Sequence, residues 1–191
     1  MVWLIHFACL PTGKRSKIDM EFFEAVQRRQ SIRKFRDAPV PAELLTRVLE
    51  ATAQAPSAGN LQAYRIFIVQ QPAVRQRLAR AAGNQACVAE APFVLVFCTD
   101  PSRSAAVWGT KGEQLLCVQD ATVACAYAQL AATALGLASI WLGATIESEA
   151  IKTALGLTED LWPIVLLPLG YAAEQPTRKP RRPLQDLVQQ T

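Results

Sequence analysis

Residues 119–144 read QDATVACAYAQLAATALGLASIWLGA, and the reading of that run decides the fold. From about Leu115 to Leu135 it is apolar nearly all round, so a helix there is buried and central rather than half exposed. Gly136 ends the helix, and Ser139 to Leu142 reads as a short strand after it. Ala121 to Ala144 could be mistaken for a membrane span. It is Ala-rich, however, carries Gln129, and is interrupted by Gly136 and Gly143 before it is long enough. Small residues recur at Ala121, Ala124, Cys125, Ala128, Ala131 and Ala132, a stripe that lets another helix approach closely and could form a subunit interface. Alanine's helix propensity alone gives the same pattern.

Working outward, Asp19 to Gln30 reads as a helix with Phe22, Phe23 and Val26 inward. A second helix follows from Pro41, a residue suited to the first helical position, with Leu44, Leu45, Val48 and Leu49 on its apolar face. Tyr64 to Val69 and Phe93 to Cys98 are β-branched and aromatic runs, Ala73 to Ala82 is a helical pattern between them, and Ile164 to Leu169 is a further strand. Helices and strands interleave without repeats or a long linker. A chain of 191 residues that is 51% apolar buries one substantial core, so residues 19–191 are expected to form a single domain. Residues 1–18 read as a leader. Their charges, Lys14, Arg15 and Lys17, follow the apolar run instead of preceding it, which is the wrong order for a secretory signal. Met20 is a natural alternative start.

The five cysteines include no CxxC pair; most sit among Ala and Val as small core residues, which suits a reducing cytoplasm. The formal net charge of +4 is modest but unevenly placed: Arg28, Arg29, Arg33, Lys34 and Arg36 crowd one segment, and Arg178, Lys179, Arg181 and Arg182 another. Two basic clusters suggest anionic ligands. The only histidine is His6, in the leader, so a Ser-His-Asp or Cys-His catalytic unit is excluded, and histidine metal sites with it. No GxGxxG or GxxxxGK[ST] fingerprint occurs. No catalytic side chain and no metal are therefore expected, and chemistry falls to a bound organic cofactor.

Three clusters read as parts of one site. In Arg29-Gln30-Ser31-Ile32-Arg33 an extended backbone puts residues 29, 31 and 33 on one side, offering two guanidinium groups and a hydroxyl to a phosphate. In Pro56-Ser57-Ala58-Gly59-Asn60-Leu61-Gln62, Asn60 and Gln62 each offer an acceptor and a donor to the pyrimidine edge of a flavin. Lys179-Pro180-Arg181-Arg182-Pro183 is a stiffened basic tail that could supply a second set of cations. Taken singly, each has a plainer reading: a solvated basic face, a helix-to-strand connection, an exposed tail.

The order RRQSIRKF (28–35), PSAGNLQAY (56–64), APFVLVF (91–97), residues 119–144, and LPLGYAAEQPTRKPRRPL (167–184) resembles the nitroreductase family, over about Glu21 to Leu187. The resemblance implies an α+β fold with a mixed central sheet flanked by helices, an intertwined homodimer, and FMN in two interfacial sites. It implies that Arg29, Gln30, Ser31 and Arg33, joined by Lys179 and Arg181, hold the FMN phosphate. Pro56, Ser57, Ala58 and Asn60 would come from the partner subunit. Gln85 would meet the pyrimidine edge, and Leu142 with Gly143 would lie beside the flavin. Gln30, Ala58 and Ala63 depart from the commoner family residues, which leaves the ring contacts open. NADH or NADPH would deliver hydride to flavin N5, and a small electron-poor acceptor such as a nitroaromatic or quinone would then take its place. Asp100 to Glu113 is a variable stretch, short for a lid, whose Trp108 either packs on the surface or stacks on an acceptor. The alternatives are a flavin-using relative with other chemistry, reductive dehalogenation or flavin breakdown, and a non-enzymatic anion- or nucleic-acid-binding module. The last is disfavoured, because the charge surplus is small and Phe35 alone interleaves the basic runs. No nucleic acid or membrane partner is expected.

Overall fold

A computed structural model describes residues 20–157 and 160–190. The readings for residues 1–18, with His6 and Cys9, and for a helix start at Asp19, lie outside the described residues. The elements are α1 (Phe22–Arg28), α2 (Ala42–Ala53), β1 (Tyr64–Val69), α3 (Pro72–Ala81), α4 (Ala86–Glu90), β2 (Phe93–Thr99), α5 (Pro101–Lys111), α6 (Cys117–Ala134), β3 (Ala138–Ser139), α7 (Ser148–Leu155) and β4 (Trp162–Gly170). One turn of π-helix, Gly112–Leu116, joins α5 to α6.

The four strands lie in the order β1-β2-β4-β3, and each neighbouring pair is antiparallel. The parallel component of the sheet is an isolated bridge between Ser31 and Ser139. Every residue of β2 is buried, and its alternation sorts two cores. Phe93, Leu95 and Phe97 face one cluster with Ala124, Ala128 and Ala132 of α6 and Leu45 and Val48 of α2. Val94, Val96 and Cys98 face the other, with Leu78 of α3, Val88 of α4 and Ile151 of α7. A period of two thus places successive residues in different layers, and burying each large side chain contributes about 1.5–3 kcal/mol. The result is helices on both faces of an antiparallel sheet.

The apolar run that opened the sequence reading is α6, and its small-residue stripe is spent inside the chain. Ala121, Ala124, Cys125, Ala128 and Ala132 are fully buried, where α6 packs on α2 and the sheet. The stripe therefore does not form an outer face for a second subunit. The same burial accounts for the only described helical run apolar and long enough to cross a membrane, Pro101–Ala134. Gly136, at φ 75°, ends α6 with Leu137 N–H donating to the Ala132 carbonyl (2.8 Å), a left-handed stop that glycine adopts without strain.

Three expectations change, and a stretch left without an element proves to be structured. Phe22 and Phe23 are 61% and 77% exposed and Val26 is exposed too; α1 rests on α6 and buries only Ala25, so nothing in the described chain covers its aromatic side. Pro41 is the residue before the helix rather than its first. The strand expected over Ser139 to Leu142 stops after Ser139, with Leu142 returning only as a bridge to Leu166. Pro168, which accepts from Ile140 N–H (3.4 Å), has no N–H to return the bond. The stretch Asp100 to Glu113 is helical: Asp100 accepts from Arg103 N–H (3.1 Å), Pro101 opens the helix, and Gly109 kinks it at φ 55°.

Cys87, Cys98, Cys117 and Cys125 are free and buried. Burial raises all four thiol pKa values, that of Cys98 to about 12. The thiolate is the reactive form, so these thiols are inert near neutral pH. In a Cys9→Ala background at about pH 8, close to the free-thiol pKa, a disulfide reagent should label none of them in native protein and all of them after unfolding in urea. Prompt labelling of native protein would contradict the burial.

Candidate functional site

Two stretches far apart in sequence meet at the Gly170 end of β4. Residues 29–33 leave α1 extended because Ile32 is drawn into the interior; its N–H donates to the Ser139 carbonyl (3.0 Å). With Ile32 inward, Ser31 and Arg33 face the other way. The following residues pair with the chain leaving β4: Arg36 N–H donates to the Tyr171 carbonyl (2.9 Å), and Ala173 N–H to the Lys34 carbonyl (2.9 Å). Arg36 Nε adds a bond to the Ala172 carbonyl (2.8 Å). Glu174 closes this clasp, its Oε1 accepting from the N–H groups of Arg33 (2.5 Å) and Lys34 (3.1 Å). Gly170 is required at the crossing, since a Cβ there would lie 2.7 Å from Pro92 Cδ and 3.0 Å from Phe35 Cδ1.

The clasp turns the tail back over the first cluster and forms a cleft of about 210 Å³ lined by Arg29, Gln30, Ser31, Arg33, Pro176, Thr177, Arg178, Lys179 and Arg181. All six residues expected at a phosphate site are in it. Arg178 was not singled out for the site, although it stands in the same basic run. The lining holds five cations and no carboxylate. Desolvation, then Arg181 and Arg178, pull the Arg29 guanidinium below its ordinary pKa. Cations facing one another in a cleft raise each other's energy, and an anion with several acceptor oxygens relieves that repulsion.

The Pro56–Gln62 loop is a compact unit elsewhere. Ala58–Asn60 forms a single 3-10 turn, and Gly59, Asn60 and Gln62 have φ of 60°, 57° and 45°. Ser57 Oγ accepts from Gln62 N–H (2.9 Å). The Gln62 side-chain amide donates to Asn60 Oδ1 (2.7 Å) and also to the Asn60 carbonyl, so its N–H groups serve the loop itself. Asp120 of α6 accepts from Ala58 N–H (2.8 Å) and Ala63 N–H (3.4 Å). Arg103 of α5 donates to the Leu61 carbonyl (2.5 Å). Trp108 is half exposed and lies over Gly59, where a Cβ would come 3.2 Å from Cζ2.

Gln85 starts α4 after Gly83 and Asn84, both left-handed. Gly83 sits against Thr145, so the Gln85 turn and the segment after Gly143 are neighbours. Leu142 is buried and exchanges backbone bonds with Leu166 (3.0 and 2.9 Å); Gly143 abuts the Ile164 carbonyl at 3.3 Å from a notional Cβ. From Ser139 to Gly143 the chain therefore runs along β4, away from the basic cleft. The Pro56–Gln62 loop is at the far corner. Tyr64 pairs with Thr99 and Thr99 with Trp162, whereas Ser139 pairs with Leu169 and Leu169 with Phe93. Three strand spacings and six residue steps separate the corners, about 14 Å by 20 Å. One chain does not bring the loop to the cleft. Among the described residues there is no cluster able to hold a metal ion.

On this α+β scaffold, with helices on both faces of its sheet, five cations without a carboxylate in one corner cleft make that cleft suited to an anion. The nitroreductase family model matches residues 26–171, and the chain belongs to the nitroreductase family. It is 35% identical to a Thermus thermophilus NADH dehydrogenase over 86% of this chain and 93% of that one. It is 30% identical to a Bacillus subtilis FMN reductase using NAD(P)H, over 85% and 70%. Among solved structures, the NADPH:FMN oxidoreductase from Vibrio harveyi complexed with NAD+ superposes with a TM-score of 0.81 at 30% identity, covering 88% of this chain and 76% of that one.

Phosphate or pyrophosphate should raise the melting temperature of the protein at ionic strength matched with chloride, by binding the folded state alone. The Arg29→Ala/Arg181→Ala double variant should lose most of that rise. An equal rise in both would place the anion site elsewhere.

Proposed function

We propose that the protein is an FMN-dependent oxidoreductase that carries electrons from NADH or NADPH to a small electron-poor organic acceptor such as a nitroaromatic or quinone. The observation that carries this reading is the cleft in which Arg29, Ser31 and Arg33 meet Lys179 and Arg181 without a carboxylate. It suits a phosphate monoester, and the relatives named for FMN and NAD(P)H chemistry make FMN the monoester. Arg29, Arg33, Lys179 and Arg181 would hold the phosphate, with Gln30 and Ser31 as hydrogen-bonding partners. Gln85, Leu142 and Gly143, beyond the cleft along β4, would carry the ring. The chemistry that FMN supplies when bound is hydride acceptance at N5 and onward electron transfer. The chain's own contribution is binding, orientation and exclusion of water, so no side-chain acid or base is assigned.

The working unit in this reading is a homodimer with two shared sites. A corner-to-corner separation of about 25 Å, from the strand spacings above, is more than one flavin mononucleotide spans. In this reading a second copy delivers Pro56, Ser57, Ala58, Asn60 and Gln62 to the flavin. The uncovered aromatic side of α1 and the exposed Leu184, Leu187 and Val188 of the tail give a partner apolar surface to cover. Trp108 travels with that loop and would border the space open to an acceptor. We place residues 19–191 in one domain, with residues 1–18 dispensable, and the protein in the cytoplasm, where free buried thiols such as these persist.

Protein purified natively should be yellow and release FMN at about one per chain, with NADH or NADPH bleaching it anaerobically. Arg33→Ala should weaken FMN binding by the loss of a charge-assisted bond, about 1.5–3 kcal/mol. Mixed with Asn60→Ala, it should regain activity, because one site of the mixed dimer carries both lesions and the other neither. A colourless protein that takes up no FMN refutes the reading; failure of the mixture to recover refutes the shared site.

A further inference from the structure

Asp120 is a buried carboxylate that the oxidoreductase reading does not use. It lies on the first turn of α6, 3% exposed, in an otherwise apolar stretch. Burying a carboxylate is unfavourable unless its oxygens are satisfied. Here they are satisfied by two backbone donors at the two ends of one loop: Ala58 N–H on Oδ1 (2.8 Å) and Ala63 N–H on Oδ2 (3.4 Å). Between those anchors lie Gly59, Asn60 and Gln62, all with left-handed φ. Asn60 tolerates that region through its short amide side chain, whereas Gln62 enters it only at a cost that its surroundings must offset. The other ties come from inside the loop, Ser57 and Gln62, from one guanidinium on the Leu61 carbonyl, and at one end from Asp100 N–H, which donates to the Ala63 carbonyl (2.9 Å). The carboxylate is the group that grips both ends.

We infer that Asp120 is a positioning residue: it holds the Pro56–Gln62 loop in its left-handed form before the flavin arrives, so that Ser57 and Asn60 reach the ring without the loop having to order. This rests on the flavin reading above. Asp120 itself touches no cofactor in this assignment and acts through Ala58 and Ala63. The chemistry is specific to a double acceptor. In Asp120→Asn the size is unchanged, but one of the two anchoring positions becomes an NH2 group facing an N–H, donor against donor. A residue that only fills space would tolerate that exchange.

The test uses the full chain, unsubstituted and as Asp120→Asn, with Ala128→Gly as the comparison. Ala128 is buried two helical turns further along α6, and glycine there weakens the helix without touching the loop. In flavin-free protein, amide hydrogen exchange at Ala58 and Ala63 should quicken by roughly tenfold or more in Asp120→Asn, the scale of a lost hydrogen bond to a charged group, and stay slow in Ala128→Gly. FMN affinity, read by quenching of flavin fluorescence, should fall by a similar factor in Asp120→Asn, with an altered visible circular dichroism of the bound flavin. Ala128→Gly should lower the melting temperature and leave both flavin signals unchanged. Unchanged exchange at Ala58 and Ala63, or unchanged FMN affinity in Asp120→Asn, overturns the inference alone. An equal loss of affinity in Ala128→Gly also overturns it, by reducing Asp120 to a stabiliser of α6. An unsubstituted chain that takes up no FMN overturns the flavin reading, and the inference with it.

Discussion

Five cations facing one cleft repel each other, and the structure near the Gly170 end of β4 is organised around holding them together. The force that does so is backbone pairing. Residues 31–36 are laid between Ser139 on one side and Tyr171–Ala173 on the other, and the Glu174 carboxylate fastens the N–H groups of Arg33 and Lys34. A net backbone hydrogen bond is worth about 0.5–1.5 kcal/mol, so several of them, together with the burial of Ile32, outweigh the repulsion between partly solvated guanidinium groups. Glu174 spends its charge on backbone N–H groups and is not part of the cleft lining. The positive field is therefore left for a ligand; burial first, and then that field from Arg181 and Arg178, holds the Arg29 pKa below its ordinary value.

The sheet fixes where the other parts of the site stand. Because β2 is central and buried on both faces, its register with β1 and β4 sets the Tyr64 corner and the Ser139 corner at opposite ends of a diagonal. No side chain spans that distance. The loop is also tied at its corner, by Asp120 and Arg103 from helices that are themselves packed. Rigid attachment of each half to one scaffold keeps them apart within a chain, and in the proposed dimer a second copy supplies the other half. The burial of the α6 small-residue stripe fits this division. Its close packing is used to build the layer under the sheet, and the exposed apolar surface left for a partner lies instead on α1 and the tail.

How far the sequence could be read follows from what each element depends on. β1 was legible to the residue, and β2, β4, α3 and α6 to within a residue or two, because their apolar periodicity is their cause. Six of the residues that line the basic cleft were legible as types, two guanidinium groups and a hydroxyl on alternate positions plus a basic tail, although only the resemblance joined the two clusters. The aromatic side of α1 was misread because an amphipathic pattern says which side is apolar and not what covers it. The strand after Ser139 was cut short by Pro168, a residue in its neighbour, which no local pattern reveals. The helix α5 left a local signal in Asp100-Pro101, a capping residue before a helix-starting proline. The tie between Asp120 and the Pro56–Gln62 loop was invisible, since a lone carboxylate on an apolar helix shows its partners only once its two donors are placed.

The two halves of the site differ in how they are prepared for a ligand. The basic cleft is electrostatically unfavourable as it stands, and an anion improves it, so binding and folding stability there rise together. The loop carries Asn60, whose short amide tolerates the left-handed region, and left-handed Gln62, at a cost on the order of 1–2 kcal/mol. No flavin contact removes a backbone cost of that kind; it is offset inside the chain, by the Ser57 and Asn60 staples and the Asp120 carboxylate. One half of the site therefore waits for its ligand to become stable, while the other is stable beforehand. A pre-ordered loop loses little conformational entropy when it closes on a ring already held by its phosphate, which lets the anion contacts supply affinity and the loop supply orientation.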